Sequence, residues 1–178
     1  MARFIALLRG INVGGRAIVP MARLREICAE LGWTEVETYI NSGNVIFVAS
    51  GKGPTLEPAL EKALKEAFGF VPAVIVRSAA QVNALTAANP LPEASEAEPN
   101  RVLVGLSKDK PKAGAAEAIQ AKAAAGETVA EAGGVLWFHY PNGAGTSKLT
   151  PALIDRAAGS PLTARNWRTM LKLREMLG

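Results

Sequence analysis

Cysteine occurs once in the 178 residues, at Cys28. That excludes an intrachain disulfide and any cysteine-rich metal site. Low cysteine use fits a reducing compartment, and the expectation is a cytoplasmic protein. Histidine also occurs once, at His139, and no His/Asp/Glu cluster has metal-ligand spacing, so no metal is expected. No stretch approaches about 18 consecutive apolar residues, so no membrane partner is expected. Nothing ahead of the first apolar run has the charged and apolar regions of a signal peptide, so none is expected. Neither a Walker A loop nor a Gly-x-Gly-x-x-Gly pattern occurs, so no cofactor is expected. No nucleophile elbow is present either. Charge of one sign is not dense: the net charge is +4 and the pI is near 9.4. This favours anionic partners in general and falls short of a dedicated nucleic-acid binder.

What is present is an ordinary globular composition, 49% hydrophobic and 20% charged, long enough for one domain or two small ones. Residues 3–8 form a nearly continuous apolar run, which suits a strand buried on both faces. The stretch Arg9-Gly10-Ile11-Asn12-Val13-Gly14-Gly15-Arg16 follows. Its three glycines suit a sharply bent backbone with exposed N–H groups, and its arginines carry donors shaped for carboxylate or phosphate. Pro20 opens a helix whose stripe is Met21, Leu24, Ile27, Cys28 and Leu31, ended by Gly32. Cys28 on that stripe reads as a core thiol.

Residues 34–40 and 44–49 read as strands joined by the turn Asn41-Ser42-Gly43-Asn44. A helix opens at Pro54, with Leu56, Leu60, Ala63, Leu64 and Ala67 inward and Glu57, Glu61, Lys62, Lys65 and Glu66 toward solvent. Residues 71–77 are a further strand, and Ser78 caps a short helix through Leu85. Residues 1–88 thus follow the strand, helix, strand, strand, helix, strand order of a ferredoxin-like unit. In such a unit the first strand-to-helix loop and the middle hairpin emerge at one end of the sheet. The glycine loop and the turn at residues 41–44 are therefore expected to be neighbours.

Residues 89–100 are proline-rich and acidic and read as a linker or long surface loop. The order then begins again over residues 101–178. A strand at 101–106 leads into an alanine-rich helix to about residue 125, strands at 127–131 and 135–140, and a helix at about 147–158. Where a last strand belongs, Thr163-Ala164-Arg165-Asn166-Trp167 reads as a capped helix start. The fold expected is therefore α+β, two ferredoxin-like (βαββαβ-type) halves in tandem, the second ending in a helix in place of a last strand.

Further candidates come from the second half. Tyr140-Pro141-Asn142-Gly143-Ala144-Gly145-Thr146-Ser147-Lys148 is another polar loop running from strand to helix. Ser147 is placed to cap that helix. Lys148 would then oppose the helix dipole unless an anion is bound. Arg165, Arg168 and Lys172 fall on one helical face as a solvated or anion-facing edge. His139 shares a strand face with Trp137, with no orienting partner nearby in sequence for a general base.

Four blocks taken together resemble one family. They are Ala6-Leu7-Leu8-Arg9-Gly10-Ile11-Asn12-Val13-Gly14-Gly15, Tyr39 with Ser42-Gly43-Asn44-Val45, Tyr140-Pro141-Asn142-Gly143 with Ser147-Lys148-Leu149, and Thr163-Ala164-Arg165-Asn166-Trp167. Occurring in this order over nearly the whole chain, they resemble the signature of the uncharacterised bacterial domain-of-unknown-function family number 1697. Members often carry Gln at the position of Asn41. The resemblance implies an α+β fold of two ferredoxin-like halves and implies no activity. It marks the polar loops as a shared signature, and the expectation is that the four blocks converge on one site.

The reading that follows is a protein binding a small anionic ligand, phosphate-containing or nucleotide-like. Arg9, Arg16, Lys148 and Arg165 would supply charge, and Gly10, Gly14, Gly15 and Gly43 backbone donors. Asn12, Asn44, Ser147 and Asn166 would orient the ligand, and Ser42 and Tyr140 complete the set of expected binding residues. A second reading is a nucleic-acid-binding module with a continuous basic surface and a sheet face on which Trp137 stands exposed. A third is a structural or interaction protein.

Overall fold

The first apolar run forms β1 (Ala2–Leu8), an inner strand, in a computed structural model that describes residues 1–178. Two units are distinguishable, one of Met1–Val82 with Leu173–Gly178, the other of Asn83–Lys172.

In the first unit β1 leads through the glycine loop to α1 (Met21–Glu30), then β2 (Thr34–Tyr39), β3 (Asn44–Ala49), α2 (Gly53–Phe68) and β4 (Val74–Ser78); α3 (Ala79–Ala87) follows, its first residues in this unit and the rest in the second. The sheet is antiparallel in the order β2-β3-β1-β4. Alternation along β1 gives it two buried faces. Phe4, Ala6 and Leu8 pack with Leu24, Ile27 and Cys28 of α1 and Leu56, Leu60 and Leu64 of α2. Ile5 and Leu7 on the opposite face are also fully buried. Trp33 stacks on Phe47 with ring centroids 3.9 Å apart.

The solvent face assigned to α2 is wrong at Glu57, which is buried. Its Oε1 accepts the Val76 N–H at 2.9 Å, and Glu61 Oε1 accepts the Val74 N–H at 2.9 Å. Because β4 ends the sheet, those N–H groups have no strand to pair with. The helix satisfies them, which closes an edge otherwise open to aggregation. Arg77 lies 3.6 Å from Glu57.

Residues 89–100 contain a helix, α4 (Pro92–Ala97). Pro92 stands in its first turn, where the missing N–H costs nothing. The second unit continues with β5 (Val102–Ser107), α5 (Ala115–Gln120), β6 (Thr128–Ala132), β7 (Val135–His139), a 3-10 turn (Ala144–Thr146), α6 (Pro151–Ala158) and β8 (Leu162–Asn166); α7 (Trp167–Leu177) begins in it, and its residues from Leu173 on belong to the first unit. Its sheet repeats the first, in the order β6-β7-β5-β8, all antiparallel. One face carries Leu136, Phe138 and Leu162 against Ile119 of α5 and Ile154 of α6. Gly105 lies at the tightest point of that packing, where a Cβ would come within 2.9 Å of both Leu162 and Phe138.

The two-halved α+β fold is as the sequence implies, with one correction. The second half does have its last strand. Thr163, Ala164, Arg165 and Asn166 lie in β8, paired to β5 with Val104 opposite Arg165. Residues 165, 168 and 172 therefore do not share one helical face. Leu162 and Ala164 pack toward the helix-covered core and alternate with Thr163 and Arg165, which is the strand period, and the helix begins only at Trp167. The alanine-rich helix is also short, stopping at Gln120.

Candidate functional site

In the first unit the glycine loop and the β2–β3 turn do meet, through one side chain. Asn12 donates from Nδ2 to the carbonyls of Val19 and Asn41, each at 2.9 Å, and approaches Asn41 Oδ1 at 3.3 Å. Its Oδ1 accepts the Val19 N–H at 2.8 Å. Across the loop the Asn12 N–H donates to Ala17 and the Arg16 N–H to Val13. The turn closes against β1 through the Leu8 N–H to the Gly43 carbonyl at 2.9 Å. Gly43 is packed so closely that a Cβ would lie 2.8 Å from Ile11 Cδ1 and from Leu8 Cβ.

The orienting residues are thus engaged within the protein. Asn44 is fully buried and donates to the Tyr39 carbonyl at 3.0 Å and to Ser42 Oγ at 2.9 Å. What faces outward is the loop tip. Gly10, Gly14, Gly15 and Arg16 are exposed, and Arg9 is half-buried. The backbone here is unusual. Gly10, Asn12, Gly14, Gly15 and Ala17 all have positive φ, between 49° and 70°, and over residues 10–14 the sign of φ alternates. Val13 and Arg16 form an isolated antiparallel bridge, so Val13-Gly14-Gly15-Arg16 is a two-residue hairpin turn, and positive φ at both glycines is what a type I′ turn requires.

In the second unit the polar loop after β7 is organised by a residue the sequence reading passed over, Glu127. Its carboxylate accepts the Ser147 hydroxyl at 2.7 Å and the N–H groups of Ala124 and Ala125 at 3.1 and 2.7 Å. The Ser147 bond, then the backbone donors, hold its pKa below the usual carboxylate range. Asn142 donates to the Ala125 carbonyl at 3.0 Å. Tyr140 is buried, and its phenol is pushed up to about 12, chiefly by burial and then by the Glu127 charge. Ser147 does not cap α6. Thr150 does, its Oγ1 accepting the Leu153 N–H, so Lys148 precedes the helix and lies exposed. Lys148 therefore does not stand in the first turn of α6 against its dipole.

Arg165 is 9% exposed and donates to Thr163 Oγ1 at 2.8 Å and to the Ala164 carbonyl at 2.9 Å. Burial lowers its pKa to about 10. Asn166 caps α7 by accepting the Thr169 N–H at 2.8 Å. Trp137 is fully buried, its indole N–H donating to the Ala132 carbonyl at 3.1 Å, and it does not stand on an open sheet face. His139 has a carboxylate partner far away in sequence: Glu98 Oε2 lies 2.9 Å from Nε2. Arg101 pairs with the same carboxyl group at 3.2 Å and also donates to the Pro141 carbonyl. No helix is long and apolar enough to cross a membrane.

The class these observations define is an α+β protein of two ferredoxin-like units with bent, polar strand-to-helix loops. The chain belongs to the family described as "Protein of unknown function (DUF1697)", whose model matches residues 1–137. It is similar in fold to a conserved bacterial protein, SP0830 from Streptococcus pneumoniae. The identity is 24%, the match covers 99% of each chain, and the TM-score is 0.74. No curated protein matches the chain.

Proposed function

We propose that the first unit binds a small phosphate-containing anion at the tip of its glycine loop. The observation that carries this is the exposed hairpin tip, where Gly14 and Gly15 stand beside the exposed Arg16. It supports glycine backbone and a guanidinium offered to an anion at one place, while the N–H groups of Asn12 and Arg16 serve to close the turn. Asn12 holds the loop in that shape without a ligand, so little ordering would be lost on binding. The net charge of +4 supports an anion over a cation. The burial of Trp137 weighs against nucleic acid stacking on the second sheet.

The test is a thermal-shift screen against inorganic phosphate, nucleotides, sugar phosphates and CoA esters, using the full chain and its Arg16→Ala variant. A ligand at 100 times its Kd adds about 2.7 kcal/mol. Stabilisation of the parent that the variant lacks is the expected result. The reading fails if no phosphate-containing compound shifts the parent, or if the shift survives the substitution.

A further inference from the structure

We infer that the phosphate bound at this loop is attached to an apolar group, so that the ligand is an amphiphilic phosphate ester rather than a sugar phosphate or free phosphate. The inference rests on the anion reading above and adds what surrounds the anion.

Three of the five large hydrophobic side chains that stand exposed belong to this end of the first unit: Val13 at 65%, Ile18 at 55% and Ile40 at 52%. They are not scattered. Val13 follows Asn12 directly. Ile18 lies between Ala17 and Val19, both hydrogen-bonded to Asn12. Ile40 precedes Asn41, whose carbonyl accepts from Asn12. Each is therefore one residue from the same hydrogen-bonded knot. Single exposed apolar residues are ordinary, but several at one place mark a contact site.

Backbone strain concentrates there too. Of the four non-glycine residues with positive φ, Asn12, Ala17 and Ile40 are at this end. Asn12 tolerates that conformation. Ile40, at φ 48°, is β-branched and is a true outlier. An exposed isoleucine in a left-handed conformation gains nothing from the core and loses backbone energy. Asparagine would suit both the backbone and the solvent better. Such a residue makes sense where its side chain meets something outside the chain. With Arg16 exposed on the same loop, charge complementarity gives that partner an anionic end. A phosphate ester of an aryl or alkyl alcohol satisfies both features.

Calorimetric titration of the full chain with methyl phosphate and phenyl phosphate tests this. The parent is compared with Arg16→Ala, Val13→Ser and Ile40→Asn. Ile40→Asn is chosen because it relieves the strained backbone, so the variant folds at least as stably as the parent. The expected result is that phenyl phosphate binds about tenfold tighter than methyl phosphate. That preference should fall toward unity in Val13→Ser and Ile40→Asn, while Arg16→Ala weakens both ligands. Equal affinity of the parent for the two esters overturns the inference and leaves the anion reading standing. So does a preference that survives both apolar substitutions. Binding of neither ester overturns both.

Discussion

Alanine at Gly43 tests whether the turn and the glycine loop are as tightly joined as the geometry implies. Two costs add. Gly43 has φ 81°, which an L-residue occupies at a cost of about 1–2 kcal/mol. The new Cβ would also lie 2.8 Å from both Ile11 Cδ1 and Leu8 Cβ. Leu8 Cβ is fixed by its strand, so the turn or Ile11 must move, an overpacking cost of about 1–3 kcal/mol. Gly14→Ala is the matched control. Its φ of 58° carries the backbone cost, but a Cβ there meets nothing within 4 Å. The difference between the variants isolates the contact at about 1–3 kcal/mol. For a chain of this size each kcal/mol lowers Tm by about 2–4 °C. Thermal unfolding followed by circular dichroism measures the difference. Exchange of the Leu8 amide, which donates to the Gly43 carbonyl, reports it locally. Equal Tm values for the two variants, or unchanged protection at Leu8 in Gly43→Ala, would refute the reasoning.

Three further outcomes follow from the same contacts. Asn12→Ala should cost about 1–3 kcal/mol by orphaning its partners, with faster exchange of the Val19 amide, and full protection there would count against the knot. Glu127 has a pKa depressed by folding, so the stability it contributes is present above the usual carboxylate range and is lost as pH falls through the folded value. Urea unfolding from pH 6 to 3 should accordingly show a flatter acid limb in Glu127→Gln than in the parent, and identical limbs would contradict this. Cys28 is buried, and its thiol is pushed up to about 12, so a thiol reagent at pH 8 should label it only on unfolding. Rapid native labelling would mean that the packing around α1 is open.

Much of the architecture is legible in local pattern. The unbroken apolar run of β1, the turn at residues 41–44 and the stripe of α1 each carry a period or a punctuating residue. The meeting of the two first-unit loops follows from the order of elements alone. What escapes depends on partners distant in sequence. Asn12 reads as a ligand-orienting residue because Val19 and Asn41 are not visible as its partners. Glu127 reads as the start of a strand, although two neighbouring N–H groups and the distant Ser147 hydroxyl converge on it. Glu57 sits in a helix among solvated charges, and only the position of β4 at the sheet edge explains its burial. Arg165 misled in another way: a buried arginine disguises a strand, and its spacing to Arg168 and Lys172 imitates a helix.

The most direct test of the anion site is an amide NMR titration of the full chain with inorganic phosphate. The account predicts saturable shifts concentrated at Gly10, Gly14, Gly15 and Arg16, and their loss in Arg16→Ala. Shifts absent from the loop, or spread evenly over exposed lysines such as Lys110, Lys122 and Lys148, would contradict it.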